Sequence, residues 1–233
     1  MRPVQIEMQP IFEEFFRDGC VLVPGVLDAE TVAALRGKTD FYAADPSTPA
    51  RHKTYSGSTL VLRYCHELDP LFAEVAARDS IVSLAAAVLD TGAAFNAMNV
   101  IRNEPGQAIS HWHIDDVLEF PLPDAIARFD PRTRMPVTWL TVQVPLSDID
   151  SLEQGPTQFV PGSHYSGRRP PGGESPEFEG RGPKSMLCKA GDVYLFNHQC
   201  WHRGAPNVSD RARYVMQLQY AQRWADRRFK GAG

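Results

Sequence analysis

The first third of the chain carries apolar residues at helical spacing, separated by polar stretches rich in turn-forming residues. This recurrence indicates amphipathic helices, and Asp28, Asp69 and Asp79 stand where N-terminal caps are expected. The pattern predicts helices at residues 10–18, 29–38, 70–77 and 80–89, and a short strand at Cys20–Val23. Residues 44–58 are polar and rich in turn formers, so they predict a loop.

Beyond about residue 93, short runs of β-branched and aromatic residues alternate with clusters of Pro, Gly, Asn and Asp, which is typical of antiparallel β structure. The predicted strands are residues 95–102, 110–115, 137–145, 159–161, 185–189, 192–197 and 212–221. The sequence therefore predicts one domain over residues 1–233 that is mainly β with flanking helices, built on a double-stranded β-helix core (a cupin-like jelly roll). The loops at 44–58, 118–135 and 165–184 are expected to surround the opening of the β-helix core. The loop at 165–184 is rich in Gly, Pro and charged residues and is a candidate mobile lid over this opening.

Composition narrows the function classes. A net charge of −4 and a pI of about 6.0 give no basic field that would favour nucleic acid or an anionic membrane. Residues 1–10 lack the apolar core of a signal peptide, and the apolar stretch at 81–95 is too short and interrupted to span a bilayer. The four cysteines are scattered without a close pair, which indicates reduced thiols. We expect a cytoplasmic protein, monomeric or homodimeric, that binds neither nucleic acid nor a membrane.

The stretch HWHIDD at residues 111–116 carries the residue types of a metal site. Side chains two apart on an extended segment share a face, so His113 and Asp115 point the same way. With a second imidazole from later in the chain they would make a two-His-one-carboxylate triad, which holds Fe(II) and leaves its other side open. His111 has the same strand parity, so a cupin-like histidine pair stays open as an alternative. Asp116 points to the opposite face, where we expect it to be solvated or hydrogen-bonded to a turn.

Three segments of the chain, spread over residues 15–220, carry a family resemblance. The first is FFRDGCVLVPGVLDAETVAALR, and the second is WHID at 112–115. The third combines EQGPTQFVPGSH at 153–164 with AGDVYLFNHQCWHRGAPNVSDRAR at 190–213. In this order they resemble the helix–strand–helix entry, the W-H-x-D metal strand and the distal signature of the phytanoyl-CoA dioxygenase-like family, whose members are Fe(II)- and 2-oxoglutarate-dependent oxygenases.

The resemblance implies that His202 is the distal metal ligand beside His113 and Asp115. It also implies that Arg213, eleven residues after His202, binds the far carboxylate of 2-oxoglutarate. Guanidinium suits this role because its planar fork pairs with a carboxylate through two hydrogen bonds. Arg211 has the same strand parity as Arg213, and only the resemblance favours Arg213 over it.

The second polar partner of 2-oxoglutarate is less clearly marked. Some relatives carry a hydroxyl residue two positions after the distal histidine, where this chain has Gly204. Thr141 and Gln143 alternate onto one face of a predicted inner strand and are candidates to replace that hydroxyl. Asn99, on the strand before the metal motif, is a third candidate.

The resemblance further implies Fe(II), 2-oxoglutarate and O2 as the reactive components, with release of succinate and CO2. The expected reaction is the hydroxylation of a C–H bond in a small-molecule metabolite or natural-product intermediate. Because related halogenases lack the carboxylate, Asp115 favours hydroxylation, desaturation, ring closure or epimerisation over halogenation. Two alternatives stay open: a cupin-like metal enzyme that uses His111, His113 and His202 without 2-oxoglutarate, and a non-catalytic ligand-binding relative.

Overall fold

The computed structural model describes residues 7–89, 92–107, 109–115 and 117–225, so Asp116 and the first six residues lie outside it. The helices of the described part are α1 (Met8–Asp18), α2 (Ala29–Ala44), α3 (Pro70–Ala76) and α4 (Asp79–Leu89). The strands are β1 (Cys20–Val23), β2 (Lys53–Ser56), β3 (Thr59–Arg63), β4 (Ala93–Asn103), β5 (Ile109–His113), β6 (Trp139–Pro145), β7 (Thr157–Phe159), β8 (Lys184–Ser185), β9 (Val193–Asn197), β10 (His202–Gly204) and β11 (Arg213–Gln222). No helix in this part of the chain combines the length and the apolar character that a bilayer crossing requires.

The strands form two antiparallel sheets. The larger sheet has seven strands in the order β1-β9-β6-β11-β4-β3-β2, and the smaller has four in the order β5-β10-β7-β8. Neighbours in this order are mostly far apart in sequence, as in a double-stranded β-helix. The predicted jelly-roll core with flanking helices is therefore confirmed.

The larger sheet has an apolar outer face and an inner face that mixes polar and apolar side chains. On β6, Leu140, Val142 and Val144 belong to the core that the sheet shares with the helices. Thr141 and Gln143, the alternate residues of the same strand, are also buried but stay outside that core. The period of two along the strand thus separates the residues that stabilise the fold from those that face the second sheet.

The helix ends follow local rules that the sequence displays. Asp28 caps α2 by accepting from the N–H of Thr31 at 2.8 Å, and Asp69 caps α3 by accepting from the N–H of Leu71 at 3.0 Å. Gly19 ends α1 with a φ of 78°, a left-handed conformation that glycine adopts without a steric penalty. The predicted positions of these three ends are confirmed.

Two predictions for residues 29–63 are wrong. The second helix runs on to Ala44, because Tyr42 packs against the core and its hydroxyl donates to the carbonyl of Leu68 at 2.7 Å. The expected loop at 44–58 contains β2, which pairs with β3 across a turn at Gly57. β2 is an edge strand with a largely exposed, polar sequence, so its composition imitates that of a loop.

Several strand limits in the second half also differ from the prediction. β5 ends at His113, so Asp115 lies on irregular backbone beyond the strand and not within it. The expected strand at 185–189 is limited to Lys184–Ser185, although Cys188 makes an isolated bridge with Ile149. The three-residue β10 is too short to show an alternating pattern.

Candidate active site

A cavity of about 220 Å³ opens between the two sheets. His113, Asp115 and His202 line it on the side of the smaller sheet, and Arg213 and Gln143 come from the larger one. The cavity therefore brings together five of the seven residues that the sequence analysis selects.

The pairing of β5 with β10 places the two histidines side by side. His113 and His202 are register partners across the two strands. Their ring centroids are 4.3 Å apart, and the ring planes are inclined at 52°. Residues almost ninety positions apart in the chain thus meet because a three-residue strand lies beside the metal motif.

Asp115 completes the cluster from the backbone that follows β5. Its Oδ1 lies 3.8 Å from Nε2 of His113 and 3.5 Å from Nε2 of His202. The three ligand atoms all lie within 4.8 Å of one another. The backbone N–H of Asp115 donates to the carbonyl of His198 at 2.9 Å, which ties the backbone after β5 to the segment before β10.

Hydrogen bonds orient both imidazoles in the same way. Nδ1 of His113 lies 3.0 Å from the carbonyl oxygen of His111, and Nδ1 of His202 lies 2.9 Å from that of Cys200. A carbonyl only accepts, so each Nδ1 carries the hydrogen and each Nε2 presents a lone pair to the cavity. Neutral imidazoles held in this tautomer are suited to bind a metal ion through Nε2.

The three groups shift one another's proton affinities. Burial lowers the pKa of His113, and the neighbouring His202 lowers it further. For His202, burial acts downward, but the carboxylate of Asp115 outweighs it and raises the pKa. For Asp115, burial acts upward, yet the imidazole of His202 holds the pKa below its usual value. The carboxylate therefore stays ionised, as a metal ligand must.

Arg213 is the unusual cation of the site. Its residue is 6% exposed, and its Nε and Nη1 have no hydrogen-bond partner among the described residues. Burial lowers its pKa, and no carboxylate of the described chain pairs with it. A buried guanidinium without an anion is costly, so this geometry fits an anionic ligand. The side chain of Arg211, in contrast, is 65% exposed and lies 3.9 Å from Asp210.

The three candidates for a second polar partner are placed differently. Gln143 lines the cavity and accepts a short hydrogen bond from the hydroxyl of Tyr194. Thr141 is buried on the same face, and its hydroxyl bonds to none of the described residues, but it does not line the cavity. Asn99 does not line it either, and its side-chain oxygen accepts from the N–H of Tyr64 at 3.3 Å.

Thr157 and Gln217 line the cavity as well, and sequence reasoning missed both. Thr157 on β7 is the register partner of Gly204 on β10. The neighbouring strand therefore supplies a hydroxyl beside the position where some relatives carry one and this chain has glycine. Gln217 shares the parity of Arg213 on β11, which was a usable indication in the sequence.

His111 stays outside the cluster. It is exposed, and although its ring centroid lies 4.9 Å from that of His113, the ligand atoms that converge among the described residues are those of His113, Asp115 and His202. Asp116 lies outside the described residues.

The loop at 165–184 is anchored at several points. The indole of Trp112 donates to the carbonyl of Glu174 at 2.9 Å, and the indole of Trp201 donates to that of Arg168 at 2.8 Å. The guanidinium of Arg168 in turn donates to carbonyls of the 118–135 segment, including that of Ile126 at 2.8 Å. The two tryptophans that flank the metal motif residues therefore connect the loop to the site.

Comparison with known proteins agrees with this geometry. The family model described as phytanoyl-CoA dioxygenase (PhyH) matches residues 15–215. The ectoine dioxygenase of Stutzerimonas stutzeri (strain A1501) is 28% identical over 167 residues, which are 66% of this chain and 49% of that protein. The chain thus matches about half the length of this curated relative.

Solved structures share the fold. The non-heme alpha ketoglutarate dependent epimerase SnoN from nogalamycin biosynthesis is 24% identical, with a TM-score of 0.70 over 92% of this chain and 82% of that one. It has also been solved with Fe³⁺, alpha ketoglutarate and nogalamycin RO. HygX from Streptomyces hygroscopicus, with nickel and 2-oxoglutarate bound, is 18% identical, with a TM-score of 0.72 over 93% of this chain and 87% of that one. HygX has further been solved with hygromycin B. From the match of the family model, the chain belongs to the phytanoyl-CoA dioxygenase family of Fe(II)- and 2-oxoglutarate-dependent oxygenases.

Proposed function

We propose that the protein is an Fe(II)- and 2-oxoglutarate-dependent dioxygenase that hydroxylates a C–H bond of a small-molecule metabolite or natural-product intermediate. The observation that carries this proposal is a pairing of two features in one cavity. Three ligand atoms of His113, Asp115 and His202 converge within 4.8 Å, and the same cavity is lined by Arg213, a buried cation whose Nε and Nη1 have no hydrogen-bond partner among the described residues.

The donor set fits the metal. Two imidazole nitrogens and one carboxylate oxygen are the ligands of the facial triad, which leaves coordination positions open on one side. His113, Asp115 and His202 would hold Fe(II), and Arg213 would hold the far carboxylate of 2-oxoglutarate. When bound, the metal and 2-oxoglutarate supply, with O2, the oxidising power for C–H chemistry and release succinate and CO2.

Arg213 and Gln143 would position the co-substrate together. The hydroxyl of Tyr194 donates to Oε1 of Gln143, which leaves the Nε2 amide hydrogens of Gln143 available for a ligand. The hydroxyl of Thr157 lies 2.9 Å from that of Tyr194, so the amide is held by a buried chain of hydrogen bonds. This arrangement would compensate for the glycine at position 204.

Apolar side chains beside the cluster hold the ring of His202 in place. The ring of His202 packs against Phe196 at 4.7 Å and Phe159 at 6.0 Å between centroids. Ile101 and Val215 add apolar surface to the cavity wall. The apolar wall beside the cluster would strengthen the contacts of a charged co-substrate, because it lowers the local polarity.

The substrate class rests on the cavity and on the relatives. The cavity of about 220 Å³ is smaller than a typical ligand pocket of about 300–1,000 Å³, so it favours a small co-substrate and only the reacting end of a substrate. SnoN has been solved with nogalamycin RO and HygX with hygromycin B, both natural products. Epimerisation, the reaction given for SnoN, is an alternative outcome at the same type of site.

A screen of metabolites for substrate-stimulated succinate formation tests the proposal. The purified protein, Fe(II) and 2-oxoglutarate should form succinate faster with a true substrate, and Asp115→Ala should abolish this. Asp210→Ala is the matched control, because the side chain of Asp210 is 94% exposed and lies outside the cavity. Succinate formation that is equal in wild type and Asp115→Ala would refute the proposal.

A further inference from the structure

A buried pair of titratable side chains lies next to the metal cluster but belongs to neither the cluster nor the cavity lining. Oε2 of Glu119 lies 3.3 Å from Nε2 of His198, and the two side chains are 4% and 1% exposed. The lining of the cavity includes neither residue. Buried carboxylates and imidazoles are retained only with specific partners, so the pair calls for an explanation.

The partners of each side chain fix its orientation. Nδ1 of His198 lies 2.8 Å from the carbonyl oxygen of Trp139, so Nδ1 carries a hydrogen. Nε2 then faces the carboxylate at ion-pair distance, without the alignment of a hydrogen bond to any described residue. The hydroxyl of Thr138 donates to the carboxylate of Glu119 at 2.7 Å. Trp139 begins β6 and Thr138 precedes it, so both members of the pair are held by the larger sheet.

The pair also connects the two chain segments that supply the metal ligands. Glu119 lies four residues after Asp115, and His198 lies four residues before His202. Gln199 reinforces the connection: its Oε1 accepts from the N–H of Glu119 at 3.0 Å, and its Nε2 donates to the carbonyl of Val117 at 3.0 Å.

Asp115 needs such support more than the two histidines do. The histidines stand in paired strands, whereas Asp115 lies beyond the end of β5. Its backbone N–H is bonded to the carbonyl of His198, the residue whose ring meets Glu119. A shift of His198 would therefore displace the carboxylate of the cluster.

We propose that Glu119 and His198 form a positioning pair that holds Asp115 where it completes the metal site. This inference rests on the proposed function, since it assumes that the cluster binds a metal. A mutation that removes a residue supporting a metal ligand typically weakens metal binding about 10–100-fold.

The positioning role is tested by titrating the metal-free protein with Co(II) and monitoring the visible absorption of the bound Co(II). Glu119→Ala should weaken Co(II) binding by about tenfold or more. Glu119→Gln keeps an acceptor for Thr138 and a polar group of the same size facing Nε2 of His198, so it should stay within about threefold of wild type. If Glu119→Ala does not fold, Thr138→Val, which removes one bond to the same carboxylate, should weaken binding by about fivefold.

Asp69→Ala is the matched control, because Asp69 is a buried carboxylate, 8% exposed, whose ion pair with Lys38 lies among the helices. It should lower the melting temperature and leave the Co(II) affinity unchanged. Unchanged Co(II) affinity in Glu119→Ala, or equal weakening in Asp69→Ala, would overturn the positioning role. Co(II) binding that does not respond to His113→Ala would instead overturn the metal site and the proposed function with it.

Discussion

Replacing Arg213 with methionine should make the ligand-free protein more stable while abolishing its binding of 2-oxoglutarate. The guanidinium is buried, and two of its nitrogens have no partner in the part of the chain that the structure describes; each unsatisfied buried donor costs about 1–3 kcal/mol. Methionine keeps most of the apolar stem and removes the charge, so we expect a net gain of about 2 kcal/mol. For a domain of this size that gain corresponds to a rise in melting temperature of about 4–8 °C.

The ligand 2-oxoglutarate should stabilise the wild type and leave the stability of Arg213→Met unchanged. At a concentration one hundred times its dissociation constant, 2-oxoglutarate should stabilise the Ni(II)-loaded wild type by about 2.7 kcal/mol, or about 5–10 °C. Arg213→Met should show no such rise, because its site lacks the cation that pairs with the carboxylate. Arg211→Met is the matched control, since Arg211 has the same strand parity but an exposed side chain, and both measurements should match wild type.

Thermal unfolding followed by circular dichroism, with and without 2-oxoglutarate, measures both effects. The reasoning would be refuted if Arg213→Met were less stable than wild type without ligand and equally stabilised by 2-oxoglutarate. A loss of ligand stabilisation in Arg211→Met alone would transfer the anchoring role to that residue.

Three further predictions concern other parts of the chain. Asp115→Ala should lower Ni(II) binding at least tenfold, measured by calorimetry, because one of three ligand atoms is lost. Burial lowers the pKa of His164 to about 4, so the neutral ring that donates to the carbonyl of Phe16 is favoured in the folded state. As the pH falls from about 6.5 to 4, the unfolded chain protonates this histidine before the folded chain does. Between pH 7 and 5 the free energy of unfolding, measured with urea, should therefore fall by about 2 kcal/mol. The His164→Asn variant should not show this loss. Gly155→Ala should lower the free energy of unfolding by more than about 2 kcal/mol, because φ is +67° and the added carbon would lie 2.6 Å from the carbonyl oxygen of Ala205; equal stability would contradict this.

The sequence was informative where chemistry is carried by local spacing. His113 and Asp115 stand two apart in one motif, and the alternation along β6 separates Gln143 from the outer core. The family resemblance added His202 and Arg213, which local pattern alone could not join to the motif. The structure brings all five to one cavity.

The rest depended on contacts between distant segments. Thr157 stands opposite Gly204 because β7 pairs with β10, and no local pattern encodes that register. Glu119 approaches His198 only because the segment after β5 folds against the turn before β10, so no local pattern in the sequence indicates this pair. The polar composition of the edge strand Lys53–Ser56 predicts a loop. This segment is a strand because it pairs with β3, which its own composition does not indicate.

The most direct test of the account is anaerobic addition of Fe(II) and 2-oxoglutarate to the purified protein. Wild type should develop a visible charge-transfer band that saturates at one iron per chain, and His202→Ala should not. Absence of the band in wild type, or a band of equal intensity in His202→Ala, would contradict the claim that residues 113, 115 and 202 bind iron beside 2-oxoglutarate.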